Sequence, residues 1–164
     1  QLDIVDIDKL KVPIHVIGIG GIGSMATLAI TKMGCSNITV YDFDIIDKHN
    51  LPIQFYRERD IGIPKVDAMK EIISDFTGIE IKTVNKKFEY APVSGIVLSA
   101  VDTMIGREMI WKHTIKYKPG VKMFIDSRMG AEIYKVYSIN PMDVGDVKFY
   151  ESTFIFILYN NINE

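Results

Sequence analysis

Cysteine is nearly absent from this chain, which holds one, Cys35, among its 164 residues. One thiol excludes an internal disulfide and a four-cysteine zinc site, so an intracellular, cytoplasmic location without structural zinc is expected. Histidine is also scarce: His15, His49 and His113 show no metal-ligand spacing and read as ordinary side chains. Long runs of positive charge are missing and the formal net charge is −2, which argues against nucleic acid or an anionic membrane as the main partner. No apolar stretch reaches the roughly 18 residues needed to span a bilayer, and the N-terminus lacks the basic-then-apolar layout of a signal peptide.

What is present fits one globular domain over residues 1–164, with 48% hydrophobic and 24% charged residues. Residues Gln1 to Lys11 alternate acidic and apolar positions, with a short helical turn expected over Asp6 to Leu10. The apolar run Ile14–Ile17 reads as a central parallel strand. It leads into Gly18-Ile19-Gly20-Gly21-Ile22-Gly23, and then into a helix from about Gly21 to Met33 whose apolar stripe is Ile22, Met25, Ala26, Ala29, Ile30 and Met33. Gly34 ends that helix and Cys35 lies in the turn after it, a small buried thiol rather than a reactive one.

The glycine run, following a strand and opening a helix, reads as a phosphate-binding turn. Gly18 allows the tight turn, Gly20 and Gly21 clear side chains from it so that backbone approaches a phosphate, and Gly23 lets helix and strand pack closely. Helix N–H groups then face the anion. A second strand, Asn37–Tyr41, delivers Asp42 about twenty residues later, where a carboxylate accepts hydrogen bonds from ribose hydroxyls. Asp42 and Asp44 are equally residue types for a turn or a cap. The connection Ile45–Ile63 is long and polar, and loops of that length are uncommon without a function. Pro64 starts the next helix and puts Lys65 in its first turn, where a cation opposes the helix dipole. That placement suggests a phosphate ligand; the alternative is a solvated lysine.

Further along, Ile79–Phe88 and Gly95–Val101 read as strands. Asp102 follows the second of them, at the sheet edge where α/β ligands bind, and is also placed to cap a helix over Thr103–Tyr117. Arg107 lies one turn into that helix. A strand Lys122–Asp126, a turn Ser127–Ala131 and an antiparallel strand Glu132–Ile139 complete the pattern. The apolar tail Phe154–Tyr159 suggests an internal strand, a dimer contact or an aggregation-prone stub. The expected fold is therefore α/β: a Rossmann-like, mostly parallel sheet with helices on both faces and antiparallel strands on the C-terminal side.

Six stretches in this order carry a resemblance: the glycine run; Asp42-Phe43-Asp44; Asn50-Leu51 with Gln54; Asp60-Ile61-Gly62-Ile63-Pro64-Lys65; Ser99-Ala100-Val101-Asp102 with Arg107; and Arg128-Met129-Gly130-Ala131-Glu132. Together they resemble the adenylating domain of the ThiF/MoeB/HesA family, bacterial relatives of ubiquitin-activating E1 enzymes, over nearly the whole chain. The resemblance implies ATP with magnesium, a homodimer, and adenylation of the C-terminal carboxylate of a small ubiquitin-like or sulfur-carrier protein. It implies that Gly18, Gly20, Gly21 and Gly23 hold phosphates, Asp42 the ribose and Lys65 the phosphates near the reacting centre. It further implies that Asp44, Asn50 and Gln54 line the nucleotide pocket, Asp102 holds magnesium and Arg107 supports Asp102.

The chain also departs from the family pattern. Ile53 stands where the motif Asn-Leu-x-Arg-Gln has its arginine, with Arg57 and Arg59 nearby as substitutes. The two Cys-x-x-Cys pairs of many members are missing, as is the downstream cysteine; Phe149–Thr153 resembles the strand before that region, and a truncated or naturally minimal chain is expected. Three readings follow: an adenylating enzyme, a non-catalytic member that binds nucleotide or a partner, and an NAD-dependent oxidoreductase. The long loop and Lys65 count against the third.

Overall fold

A computed structural model describes residues 6–130 and 132–160. Its regular elements are β1 (Ile14–Ile17), α1 (Gly21–Lys32), β2 (Ile38–Asp42), α2 (Lys65–Thr77), β3 (Lys82–Asn85), β4 (Gly95–Ser99), α3 (Met104–Ile110), β5 (Val121–Met129), β6 (Tyr134–Ile139) and α4 (Val144–Asn160). The strands form one sheet in the order β3-β2-β1-β4-β5-β6. Pairing is parallel throughout except between β5 and β6, because only these two strands are joined by a turn too short for a crossover. This is the α/β sheet expected from the sequence.

Successive residues of a strand face opposite sides, and two cores follow from that alternation. Val16 and Val40 pack on one side with Val66, Met69, Ile72 and Ile73 of α2. Ile17, Tyr41, Val97 and Phe124 pack on the other with Trp111, Val147 and Tyr150. The second core is rich in rings: Trp111 and Tyr150 meet edge-on with centroids 4.6 Å apart, and Phe124 lies 5.7 and 5.6 Å from them. Such pairs add roughly 0.5–1.5 kcal/mol each beyond the apolar area they bury.

Several expectations change at the level of elements. The buried face of α1 is not the apolar stripe: Gly23, Ser24, Thr27 and Thr31 turn inward, and Met25 and Met33 are exposed. Small side chains let α1 approach the sheet closely. Their hydroxyls stay satisfied, Thr27 Oγ1 donating to the Gly23 carbonyl at 2.7 Å and Thr31 Oγ1 to the Thr27 carbonyl at 2.9 Å. The expected strand Ile79–Phe88 shortens to β3, with Ile81 buried just before it. Residues Ser127 to Met129 extend β5 rather than forming a turn; Ala131 lies outside the described residues, as do Gln1 to Val5. Phe149–Thr153 and the tail that begins at Phe154 are helical. In α4, Val147, Tyr150 and Phe154 recur at helical spacing and pack into the second core, a stripe that a strand would split between two faces.

The expected helix Thr103–Tyr117 is two pieces, α3 and a π-helical turn over Trp111–Ile115. Its cap is Thr103, whose Oγ1 accepts from the Gly106 N–H at 3.2 Å. Asp102 is therefore not the cap, and its carboxylate is left exposed at the end of β4.

Candidate functional site

Three strand ends are brought level by backbone pairing. Ile17 lies opposite Tyr41 on one side and Ser99 on the other, Gly18 N–H donates to the Tyr41 carbonyl at 2.8 Å, and Ala100 N–H donates to the Ile17 carbonyl at 2.8 Å. Gly18, Asp42 and Asp102 consequently share one edge, at the point where the strand order reverses: the chain runs outward from β1 to β2 and β3, then returns to place β4 on the other side of β1. Open α/β sheets bind ligands at this point. A cleft of about 870 Å³ opens there, lined by Gly18, Gly20, Gly21, Asp42, Asp44, Asn50, Gln54, Lys65, Asp102 and Arg107, and also by Lys87 to Tyr90.

The glycines serve different ends. Gly18 has φ +83°, and a Cβ there would come 2.9 Å from the Ala100 carbonyl oxygen. At Gly23 a Cβ would overlap the carbonyl of Gly18. Both are required by the packing of β1, α1 and β4. Gly20 is not: its φ is −74°, and an added Cβ would meet only the Gln54 amide, at 3.9 Å. No side chain caps α1 at Gly20, so its leading N–H groups are left to an anion in the cleft.

Asp42 is buried, and its oxygens accept from the Ile19 N–H at 2.8 Å and the Asp44 N–H at 2.9 Å. It is thus both a turn-bracing residue and part of the cleft wall. Asp44 accepts from Lys65 Nζ at 2.7 Å and, through its carbonyl, from the Lys65 N–H at 2.9 Å. The Lys65 ammonium is buried beside the cleft and is not a solvated surface group.

The long loop is folded onto the glycine turn. Phe55 N–H donates to Ser24 Oγ at 3.0 Å, and Tyr56 Oη donates to the Ile19 carbonyl at 2.7 Å. Burial, with the carboxylates of Asp42, Asp44 and Asp60 nearby, pushes the Tyr56 phenol up, so it stays a donor. Asn50 Oδ1 accepts from the Asp47 N–H at 2.9 Å, which holds Asn50 in the cleft wall. Gln54 Oε1 is buried there without a hydrogen-bond partner.

Two expected arrangements are absent. Arg57 and Arg59 do not stand in for an arginine at Ile53: Arg57 binds Asp60 and Asp75, and Arg59 binds Glu71, so both guanidinium groups are drawn toward the acidic face of α2. Ile53 itself is exposed. Arg107 does not bond to Asp102 either. Its Nη1 pairs with the buried carboxylate of Asp126 and donates to the Ser127 carbonyl at 2.7 Å, while Nη2 donates to the Val101 carbonyl. Arg107 therefore fixes the backbone that carries Asp102, without touching its carboxylate.

A second groove of about 510 Å³ meets the cleft at Asp102, Arg107 and Met129, and continues between Arg128, Lys135, Tyr137 and Phe149.

A sequence model of the ThiF family matches residues 5–121. The chain belongs to the ThiF family. Among relatives of this ThiF-family chain, ubiquitin-like modifier-activating enzyme 5 of Oryza sativa is 34% identical over 61 residues, 37% of this chain and 14% of the relative. Molybdopterin-synthase adenylyltransferase of Haemophilus influenzae is 31% identical over 106 residues, 59% of this chain and 44% of the relative. In fold, the chain is similar to E. coli MccB crystallised with AMPCPP and MccA, with a TM-score of 0.72 at 21% identity over 82% of this chain and 43% of that one. The chain thus spans less than half the length of each.

The ThiF-family cleft fits a nucleoside triphosphate on three counts: an unpartnered Gln54 oxygen free to accept from a nucleoside N–H or O–H, the open space at Gly20, and a buried ammonium and an uncapped helix end lining the same cleft. Among the described residues no three His, Cys, Asp or Glu side chains are grouped to hold a metal. A magnesium ion here would rely on Asp102 and on phosphate oxygens, which is the usual way this ion is bound. The sequence reading missed Asp126 and Tyr150, whose hydroxyl donates to Asp126 at 3.0 Å, because their partnership spans separate elements. Tyr56 and the wall from Lys87 to Tyr90 were also missed; for Tyr56, its place in a long loop was the available signal.

Proposed function

We propose that this chain is an ATP-dependent adenylating domain that activates the C-terminal carboxylate of a small ubiquitin-like or sulfur-carrier protein. The observation that carries the reading is the meeting of two cavities at Asp102: a cleft with phosphate-binding features, and a groove that reaches the same point from the other side. A protein that only stored nucleotide would need the first alone. The names of the relatives support the same chemistry, and a homodimer and a cytoplasmic location belong to this reading.

In the proposed reaction a carboxylate oxygen of the acceptor attacks the α-phosphorus of ATP and pyrophosphate leaves. The nucleophile is already ionised at neutral pH, so no general base is needed. The difficulty is bringing two anions together. Lys65 offers positive charge inside the cleft, the N-terminus of α1 offers N–H groups, and Arg107 holds the Val101–Asp102 backbone still. Magnesium bound at Asp102 would supply further charge neutralisation.

Pyrophosphate exchange into ATP, measured with a carrier protein ending in Gly-Gly, tests this. Lys65→Ala and Asp102→Ala are each expected to lower exchange at least about a hundredfold; exchange that survives both changes rejects the site. A second reading, a member that binds nucleotide without turnover, is favoured by one observation, the exposed Ile53 with Arg57 and Arg59 engaged elsewhere. It predicts ATP binding without exchange in the unaltered protein.

A further inference from the structure

The charge inside the cleft is poorly suited to a bare nucleotide. Four carboxylates line it, those of Asp42, Asp44, Glu89 and Asp102, against the cations Lys65, Lys87 and Arg107. Arg107 is neutralised by Asp126 behind the cleft. Lys65, at the first position of α2, is held by Asp44, and that carboxylate is half-exposed toward the cleft while the ammonium is buried. The pair is tied back to the glycine turn, since Asp42 accepts from both the Ile19 and the Asp44 N–H groups. An anion approaching Lys65 therefore meets the carboxylate of Asp44 beside it.

We propose that Asp44, by pairing with Lys65, makes the cleft selective for the divalent-metal complex of a nucleoside triphosphate over the bare anion. This rests on the nucleotide reading given above. The pair holds the buried ammonium in place where the dipole of α2 disfavours a cation. Its carboxylate opposes a polyphosphate whose charge is not already lowered by a metal ion, since like charges brought close in a low-dielectric site repel strongly. Asp44 is a positioning and selectivity residue in this account.

Calorimetric titration of ATP, in EDTA and separately with magnesium, tests the proposal without any turnover. In EDTA, Asp44→Asn is expected to bind ATP roughly tenfold more tightly than the unaltered protein, and with magnesium the two should agree within about twofold. Glu89→Gln, another acid lining the cleft, with no ion pair among the described residues, should gain much less. Equal affinities of Asp44→Asn and the unaltered protein in EDTA overturn the proposal, as does an equal gain in Glu89→Gln, which would mean a diffuse field. A measurement needing no variant uses the unaltered protein alone. Bare ATP should bind no more tightly than AMP, and magnesium should reverse that order; a preference for ATP that is the same with and without magnesium overturns the role of Asp44. Absence of ATP binding in both buffers overturns the nucleotide reading itself, and is distinguishable from either of these results.

Discussion

At the scale of single residues, the glycine turn separates structural need from ligand need. Gly18 and Gly23 are fixed by contacts with backbone, whereas Gly20 faces open cleft. Gly23→Ala should therefore destabilise the fold by about 3 kcal/mol or more, because the obstacle is a carbonyl that cannot move aside. Gly20→Ala should stay within about 1 kcal/mol of the parent in urea unfolding, while losing about tenfold or more in ATP affinity. Equal nucleotide affinity in Gly20→Ala and the parent would remove the turn from the binding site. That the residues of this turn line one cleft with Asp42, Lys65 and Asp102 was legible in the sequence, because each placement depends on local features: a strand end, a helix start, a fixed spacing. The support of Asp102 expected from Arg107 runs through the Val101 carbonyl rather than the Asp102 carboxylate, and its ion pair was not legible, since Asp126 lies nineteen positions away along the chain and only the pairing of β5 with β4 brings it close.

At the scale of elements, the segment from Phe43 to Pro64 is held in place by an ion pair. Asp60 is buried and accepts from the Arg57 N–H at 2.8 Å and from Arg57 Nε at 2.9 Å. Burial alone would raise the Asp60 carboxyl, but the hydrogen bonds and charge of Arg57 outweigh it and hold it below the usual carboxylate range. A carboxyl depressed in the folded state contributes stability that is complete above its unfolded value, about 4. That contribution is lost as pH falls through the folded value. Urea midpoints should therefore fall below about pH 4. Asp60→Asn should cost roughly 1.5–3 kcal/mol at pH 7 and show a shallower acid decline. Some decline should persist, because Glu151 is another depressed carboxyl: burial opposes its ionisation, but its bonds with Lys116 and Trp111 prevail. Helix α1 and helix α4 show where periodicity misleads. Counting Met and Ala as core hid the inward hydroxyls of α1, and a run of Phe and Ile looked like a strand because both types favour sheets, although the register of Val147, Tyr150 and Phe154 is helical.

At the scale of the whole molecule, one sheet carries two cores, and the carboxylate of Asp126 stitches the second of them. It accepts from Arg107 of α3, from Arg128 Nε at 2.6 Å within its own strand, and from Tyr150 of α4. Arg128 in turn lies over Tyr137, Tyr150 and Phe154, at 4.6, 5.4 and 5.2 Å from their ring centroids. Removing the carboxylate strands two guanidinium groups in a ring-lined interior, and breaking one side of a buried pair typically costs about 3–5 kcal/mol. Asp126→Ala should lower the urea midpoint accordingly. The chain's single tryptophan, Trp111, is fully buried in that core and reports on it alone, whereas far-UV circular dichroism reports on both halves. Because β1 and β4 share their pairing between the two cores, the two signals should move together in the parent and in the variant, as they do in a domain that unfolds as one unit. A Trp111 transition that precedes the circular dichroism transition in Asp126→Ala would show that the half carrying Asp102 unfolds on its own. The cleft would then be assembled from two units of separate stability, and nucleotide, by bridging Lys65 and Asp102, should bring the two transitions back into coincidence.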